Sequence, residues 1–418
     1  MIGALLALTA ALAYVNARWV RLPPSIGLML AGLLTAGLVA AGRAAGVPWA
    51  QTVCQAVAEL DFGPFLLEGL LGYMLFAGAL HVDRSWLWRQ RWPVAVLALG
   101  GVLISTAVVG AGIYLAAAAL GLSLGWVESL LFGALISPTD PIAVLAIMQR
   151  LGARKDLGIE VCGESLFNDG IGVVVFLTLL SLAGGGEVHV GSTLLLFVRE
   201  AAGGLALGWL MGSATVWLMT RVNVPRVEAL LTLALAGGGY QLALALGVSG
   251  PIAIVLAGVI VGQAECHPDS GHRKTYRQLD DFWRIVDEVL NALLFVLIGL
   301  VVLVLTSPAE AGDGPLATVL ILAALAIPIV LAGRVASVLA ALAGLRWHYR
   351  FAPGAARILI WGGLRGGLPV AMALSVPDGL ARPVLLKMTL AVVVFSLLVQ
   401  GLTIGPLVRR YTPKDQAA

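Results

Sequence analysis

The chain has 418 residues, of which 60% are hydrophobic and only 12% charged, with a formal net charge of +3. Soluble domains carry about 45–50% apolar and about 25% charged residues, so this balance excludes an ordinary water-soluble protein, a disordered chain and a coiled coil. The weak positive bias comes without a basic stripe interleaved with aromatics, which points away from nucleic acid. The three cysteines, Cys54, Cys162 and Cys266, are too scattered for a disulfide framework or a zinc site.

A membrane helix needs roughly 20 mostly apolar residues. In chain order such segments fall at 2–17, 25–42, 62–80, 93–120, 126–149, 160–183, 193–219, 227–246, 249–263, 287–306, 316–343, 356–376 and 384–408. They predict an all-α integral membrane protein of about thirteen spans. Residues 50–60 read as a short connector. The polar stretch 267–285, with Asp280, Asp281 and Arg284 beside Phe282, Trp283 and Ile285, reads as an amphipathic helix at the interface. The first segment begins without positive charge and leads into further spans, so it is expected to be retained rather than cleaved.

Alternate loops carry 20 of the 26 basic residues, from Arg18 and Arg21 to Arg409, Arg410 and Lys414. The positive-inside rule places those loops in the cytoplasm, with the N-terminus outside, the C-terminus inside and residues 411–418 as a short cytoplasmic tail. Trp19, Trp49, Trp86, Trp88, Trp92 and Trp126 fall near span ends, as an aromatic belt does.

Two spans carry breakers at mid-depth: Ser137-Pro138-Thr139-Asp140-Pro141 in the fifth, and Gly362-Gly363-Leu364-Arg365-Gly366-Gly367-Leu368-Pro369 in the twelfth. Proline removes a backbone donor and clashes with the preceding turn. Paired helix breaks in two halves of a membrane chain point to a transporter site. The seven-helix offset predicts two inverted six-helix repeats with one helix inserted, their broken helices crossing at mid-membrane.

A charge at the bilayer centre costs about 2.5–3.5 kcal/mol on insertion scales and usually lines a pathway. Asp140 sits between two prolines. In the sixth segment, Gly163-Glu164-Ser165-Leu166-Phe167-Asn168-Asp169-Gly170 puts Ser165 and Asp169 on one helix face and Glu164 and Asn168 on the next. These are oxygen donors suited to a hard cation, and Asp140, Asp169, Ser165 and Thr139 are the expected cation ligands. One carboxylate holds a proton or a metal ion, not both, so competition at Asp169 presented alternately to two sides is antiport. Arg365 at the other break is expected to pair with Glu164 as a structural brace, while Arg334 is expected to snorkel. Asn291, four residues after Asp287, either lines the cavity or caps and pairs helices. The five histidines lie at loops or span ends.

These residues resemble the NhaP-type sodium/proton antiporters of the monovalent cation:proton antiporter family, relatives of the animal sodium/proton exchangers. The resemblance rests on Ser137–Pro141, Gly163–Asp169, Gly363–Gly366, Phe282-Trp283 and Asn291–Gly299, and runs in register from about 23 to 410. It implies a homodimer in which core helices (93–185 and 314–410) move against scaffold helices (1–92 and 227–313), joined by a linker helix (186–226). It implies that Asp169 is the proton- and ion-binding acid, assisted by Asp140, Ser165 and the Thr139 backbone, and that Asn168 marks electroneutral exchange. It also implies the Glu164–Arg365 ion pair, with Asn168, Pro138, Pro141 and Gly366 shaping the site. Many relatives place Glu where this chain has Ala77. Glu68 lies nine residues earlier, about 900° around the helix, and faces the opposite way.

The expected activity is exchange of Na⁺, with Li⁺ or K⁺ as alternatives, for H⁺ across a bacterial inner membrane, serving pH and sodium homeostasis. No cofactor is expected, and without a Walker motif the energy source is an ion gradient rather than ATP. A cation channel would need a continuous polar pore, and an intramembrane enzyme a deep Ser/His or metal constellation. Neither pattern is present in the sequence.

Overall fold

A computed structural model describes residues 2–58, 63, 65–80, 94–140, 144, 148, 155–183, 190–222, 224–264, 273–305, 315–345, 354–377 and 379–411. Every regular element among them is helical. In order they are α1 (Ile2–Val15), α2 (Pro24–Ala44), α3 (Pro48–Ala58), α4 (Leu71–Leu80), α5 (Gly101–Ala119), α6 (Trp126–Ile136), α7 (Lys155–Ala183) and α8 (Val190–Val222). There follow α9 (Pro225–Ala245), α10 (Gly250–Ala264), α11 (Arg273–Leu305), α12 (Leu316–Leu345), α13 (Ala355–Trp361), α14 (Leu368–Ser375), α15 (Arg382–Phe395) and α16 (Gly401–Tyr411). Wider π turns extend α1 (Asn16–Val20), lead into α4 (Phe65–Leu70) and α5 (Val96–Gly100), and join α15 to α16 (Ser396–Gln400).

Local chemistry sets the boundaries. Pro24 and Pro225 occupy first-turn positions, where the missing N–H costs nothing. Gly46, Gly121 and Gly247 take positive φ just past helix ends. Seven described helices or joined helices are long and apolar enough to cross a membrane, among them Pro24–Ala44, Leu316–Leu345 and Arg382–Tyr411. Their outer faces stay apolar: Leu34, Leu38, Leu230 and Leu320 are exposed, which suits a lipid solvent rather than water. Trp19, Trp49 and Trp126 are also exposed.

The connector after the second span is helical through Ala58, as α3. One expectation fails here: the stretch 267–285 is not a separate interfacial helix. From Arg273 it runs without interruption into the tenth span as α11, 33 residues long. The reason is tertiary: Leu279 and Trp283 are fully buried. The Trp283 ring packs 4.7 Å from Phe76 of α4, and its Nε1 donates to Thr232 Oγ1 of α9 at 3.0 Å. A polar-looking segment is thus anchored from one side by a tryptophan whose only polar atom is satisfied.

The helices pack as two groups. α2 lies along α11, α4 against α10, and α8 against α10; elsewhere α5 packs between α6 and α12, and α12 against α15. α7 touches both groups, meeting α6 and α5 as well as α10 and α8.

Candidate functional site

The two interrupted spans meet where their helices end. α6 stops at Ile136 and α13 stops at Trp361, leaving 137–140 and 362–367 non-helical. These stretches touch antiparallel at Asp140 and Leu364, where Asp140 N–H donates to the Leu364 carbonyl at 2.8 Å. Two helix C-termini, each equivalent to roughly half a negative charge, therefore converge at one buried point. Each ended helix also leaves carbonyls without helical partners, and in an apolar bundle those must be satisfied by protein.

Two arginines do so. Arg365 Nη1 donates to the carbonyls of Ser137 and Pro138 at 2.5 and 2.7 Å. Arg334, from α12, donates through Nε and Nη2 to the Leu359 carbonyl at 3.1 and 2.9 Å. Gln400 caps the Trp361 carbonyl at 3.2 Å, and the Arg365 N–H is held by Ser396 Oγ at 3.0 Å. Glycines permit the close approach. A Cβ on Gly363 would lie 2.6 Å from Arg334 Nε, and one on Gly366 would lie 2.6 Å from Asp140 Oδ2.

The brace differs from the expected one. Glu164 pairs with Arg334, not Arg365, in a fork-to-fork arrangement: Oε1 accepts from Nη1 at 2.6 Å and Oε2 from Nη2 at 2.8 Å. Arg334 does not snorkel; it and Glu164 are buried. The guanidinium fork can reach a carboxylate and a carbonyl together, whereas Arg365 spends its Nη1 on the α6 end. Nothing local announced this, because Arg334 stands in an uninterrupted apolar helix 170 residues from its partner.

Asn168 links the brace to the break. Its Nδ2 donates to Glu164 Oε1 at 3.2 Å and Thr139 Oγ1 at 3.3 Å, with a long contact to the Ser137 carbonyl at 3.5 Å. Thr139 and Ser165 hydroxyls are hydrogen-bonded at 3.0 Å. These side chains are all buried.

Asp140 and Asp169 lie beside that network, at open space. Both line a cavity of about 890 Å³, its mouth included, whose walls are mainly apolar residues of α4, its π turn and α14, with Pro138 and Gly366 beside the carboxylates. Thr139, Asp140, Ser165, Asn168, Asp169, Pro138 and Gly366 therefore gather at one crossing. Pro141 and all five histidines lie outside the described residues. Ala77 is buried, between cavity-lining Leu75 and Gly78. Asp287 also lines the cavity; its four-residue spacing to Asn291 is the signal the sequence offers for it.

Interrupted helices that meet at a pair of carboxylates inside an apolar bundle are an architecture of membrane transporters. The family model described as sodium/hydrogen exchanger, transmembrane, matches residues 4–410. The Na⁺/H⁺ antiporter NhaP of Pseudomonas aeruginosa is 45% identical, covering 98% of this chain and 96% of its own length. The Na⁺/H⁺ antiporter NhaH of Halobacillus aidingensis is 31% identical over 94% of this chain and 93% of its own. Among solved structures, the sodium proton antiporter MjNhaP1 of Methanocaldococcus jannaschii at pH 8 superimposes with a TM-score of 0.73 at 20% identity, over 98% of this chain and 97% of that one, a likeness of fold. The chain belongs to the sodium/hydrogen exchanger family.

Proposed function

We propose that this protein is an electroneutral antiporter that exchanges Na⁺, with Li⁺ or K⁺ as alternative cargo, for H⁺ by competition at Asp169. The observation that carries the reading is the placement of Asp140 and Asp169 on a shared cavity, while Glu164, five residues before Asp169, is sealed against Arg334. Asp169 and Asp140 supply carboxylate oxygens to the cation. Ser165 and Thr139, already hydrogen-bonded to each other at 3.0 Å, supply neutral ones. Asn168 positions Thr139 and cannot itself take a proton as an acid would.

Charge balance supports one-for-one exchange. Glu164, Asp140 and Asp169 as carboxylates against Arg334 and Arg365 leave the empty crossing with one net negative charge. One Na⁺ or one H⁺ brings it to zero. A core that is neutral with either load, and charged when empty, crosses an apolar barrier readily only when loaded.

Alternating access would be carried by helices 93–185 and 314–410 moving against 1–92 and 227–313, with 186–226 as linker. The packing of α5, α6, α12 and α15 on one another, and of α2, α4, α10 and α11 on one another, supports that division. Thirteen spans in two inverted repeats, a homodimer, a bacterial inner membrane and a cytoplasmic C-terminus complete the proposal. The loop charge asymmetry supports the orientation.

The test is dissipation of a preset ΔpH in proteoliposomes on addition of Na⁺, Li⁺ or K⁺, with Asp169→Asn beside wild type and the potential clamped by valinomycin and K⁺ in the Na⁺ and Li⁺ runs. Cation-driven proton movement, indifferent to the clamp and lost in the variant, is expected. Wild-type exchange by Asp169→Asn would sink the mechanism.

A further inference from the structure

The last span carries two buried polar side chains, Ser396 and Gln400, at the two ends of the π turn that joins α15 to α16. A single wide turn of this kind inside a longer helix recurs at functional sites. Both side chains reach across to the second break. Ser396 Oγ accepts the Arg365 N–H at 3.0 Å, and Gln400 Nε2 donates to the Trp361 carbonyl at 3.2 Å, where α13 ends. Thr389, earlier in the same span, shows the ordinary alternative: its hydroxyl donates within its own helix, to the Leu385 carbonyl at 2.7 Å.

The bond at Ser396 has the longer reach, because it grips a peptide unit already in use. The Arg365 N–H and the Leu364 carbonyl belong to one peptide plane. In a trans peptide, as here, the two groups point in opposite directions. The carbonyl end accepts the Asp140 N–H at 2.8 Å. Ser396 Oγ, the 364–365 peptide and the Asp140 backbone thus form one hydrogen-bonded line from the last span to the first break. Bonds in such a line polarise and strengthen one another in a low-dielectric interior. The Arg365 side chain ties the same stretch to the Ser137 and Pro138 carbonyls. An anchor from outside is needed, because glycines at 362, 363, 366 and 367 leave the stretch little conformational preference of its own.

We propose that Ser396 and Gln400 are positioning residues for cation binding, and that through the 364–365 peptide the last span sets the affinity of the site at Asp140 and Asp169. The proposal rests on the reading that these two carboxylates hold the cation. Neither Ser396 nor Gln400 lines their cavity, so both act through backbone rather than on the ion. Without the Ser396 hydroxyl, the Arg365 N–H is buried with no acceptor, a state that is costly to keep. The peptide plane is then free to turn between Gly363 and Gly366 toward another acceptor. Its carbonyl leaves the Asp140 N–H, and the Asp140 carboxylate shifts on the cavity wall.

The test uses the full chain in proteoliposomes and Na⁺-driven ΔpH dissipation, with KM and maximal rate read separately. Ser396→Ala is expected to raise the KM for Na⁺ about tenfold and leave the maximal rate within about twofold. Ser396→Thr keeps the hydroxyl and is expected to restore most of the affinity. Gln400→Met, which loses the longer bond, is expected to raise KM about threefold. Thr403→Val is the control: it removes the bond from Trp361 Nε1 to Thr403 Oγ1 at 2.9 Å, between the same two spans but at the exposed surface, and should keep the wild-type KM. A Ser396→Ala protein with wild-type KM overturns the proposal, as does one in which only folded yield or maximal rate falls. So does a Ser396→Thr protein no better than Ser396→Ala, or an equal rise of KM in Thr403→Val. Should Ser396→Ala fail to fold, a wild-type KM in Gln400→Met overturns it equally. Exchange that survives in Asp169→Asn defeats the underlying reading instead, whereas an inactive Asp169→Asn beside an unaffected Ser396→Ala defeats the positioning role alone.

Discussion

Glu164 and Asp169 stand five residues apart on α7, yet they occupy opposite sides of the crossing. Glu164 is 1% exposed and held at both oxygens by Arg334, which also caps the end of α13. Asp169 faces a cavity it shares with Asp140. A buried carboxylate whose charge is already balanced by a guanidinium has little call for a cation, and through Arg334 and Asn168 it is tied to the ends of both broken helices. A carboxylate on a cavity wall can change partners, which is what exchange requires. The same chemical group is structural or functional according to whether its partner is part of the protein or arrives from outside.

Breaking the sealed side is expected to produce the largest effect on stability. Glu164→Gln leaves the Arg334 guanidinium buried without a counter-charge, and breaking a buried pair in this way costs about 3–5 kcal/mol. Thermal unfolding in detergent checks it, with Asp169→Asn as the control. The control should unfold close to wild type while losing exchange, so equal destabilisation of the two variants would erase the distinction between the two sides.

Gly366→Ala acts where the sides touch. The added methyl would lie 2.6 Å from Asp140 Oδ2 and 2.9 Å from Asp140 Cβ, so the carboxylate must move. A cost of about 1–3 kcal/mol is expected for such overpacking, together with an increase in the KM for Na⁺ measured in proteoliposomes. Ser165→Ala removes one hydroxyl from the Thr139 pair, so about 1 kcal/mol and a smaller rise in KM are expected. At the bottom of the scale is the Asp281–Arg284 pair. It is only 2.5 Å long, but its side chains are 51% and 61% exposed. Arg284→Ala should shift stability by less than about 1 kcal/mol, because water and salt screen what burial does not protect.

Much of the crossing was legible in the residues themselves. Pro138 and the glycines at 362–367 announce backbone that cannot remain helical, and Asp140, Ser165, Asn168 and Asp169 are conspicuous because charge and amide are expensive at that depth. The expected crossing of the two broken spans agrees with the contact between Asp140 and Leu364. The arginine assignments do not agree with the structure, because Arg365 was chosen for its position at a break. The structure uses it to satisfy carbonyls of Ser137 and Pro138, a demand created only once α6 ends against the other chain stretch. The unbroken course of α11 was likewise hidden, since its polar residues outnumber the two side chains, Leu279 and Trp283, that bury it.

Composition and periodicity by themselves determined that this is a helical membrane protein with two interrupted spans and a cluster of oxygen donors, because hydrophobic length, proline and buried charge act through local energetics. Which acid is sealed and which is open was decided only by the tertiary structure. That choice depends on what packs against each carboxylate from α12, α11 and α14, helices more than a hundred residues away, and no local pattern encodes the partner that long-range packing supplies.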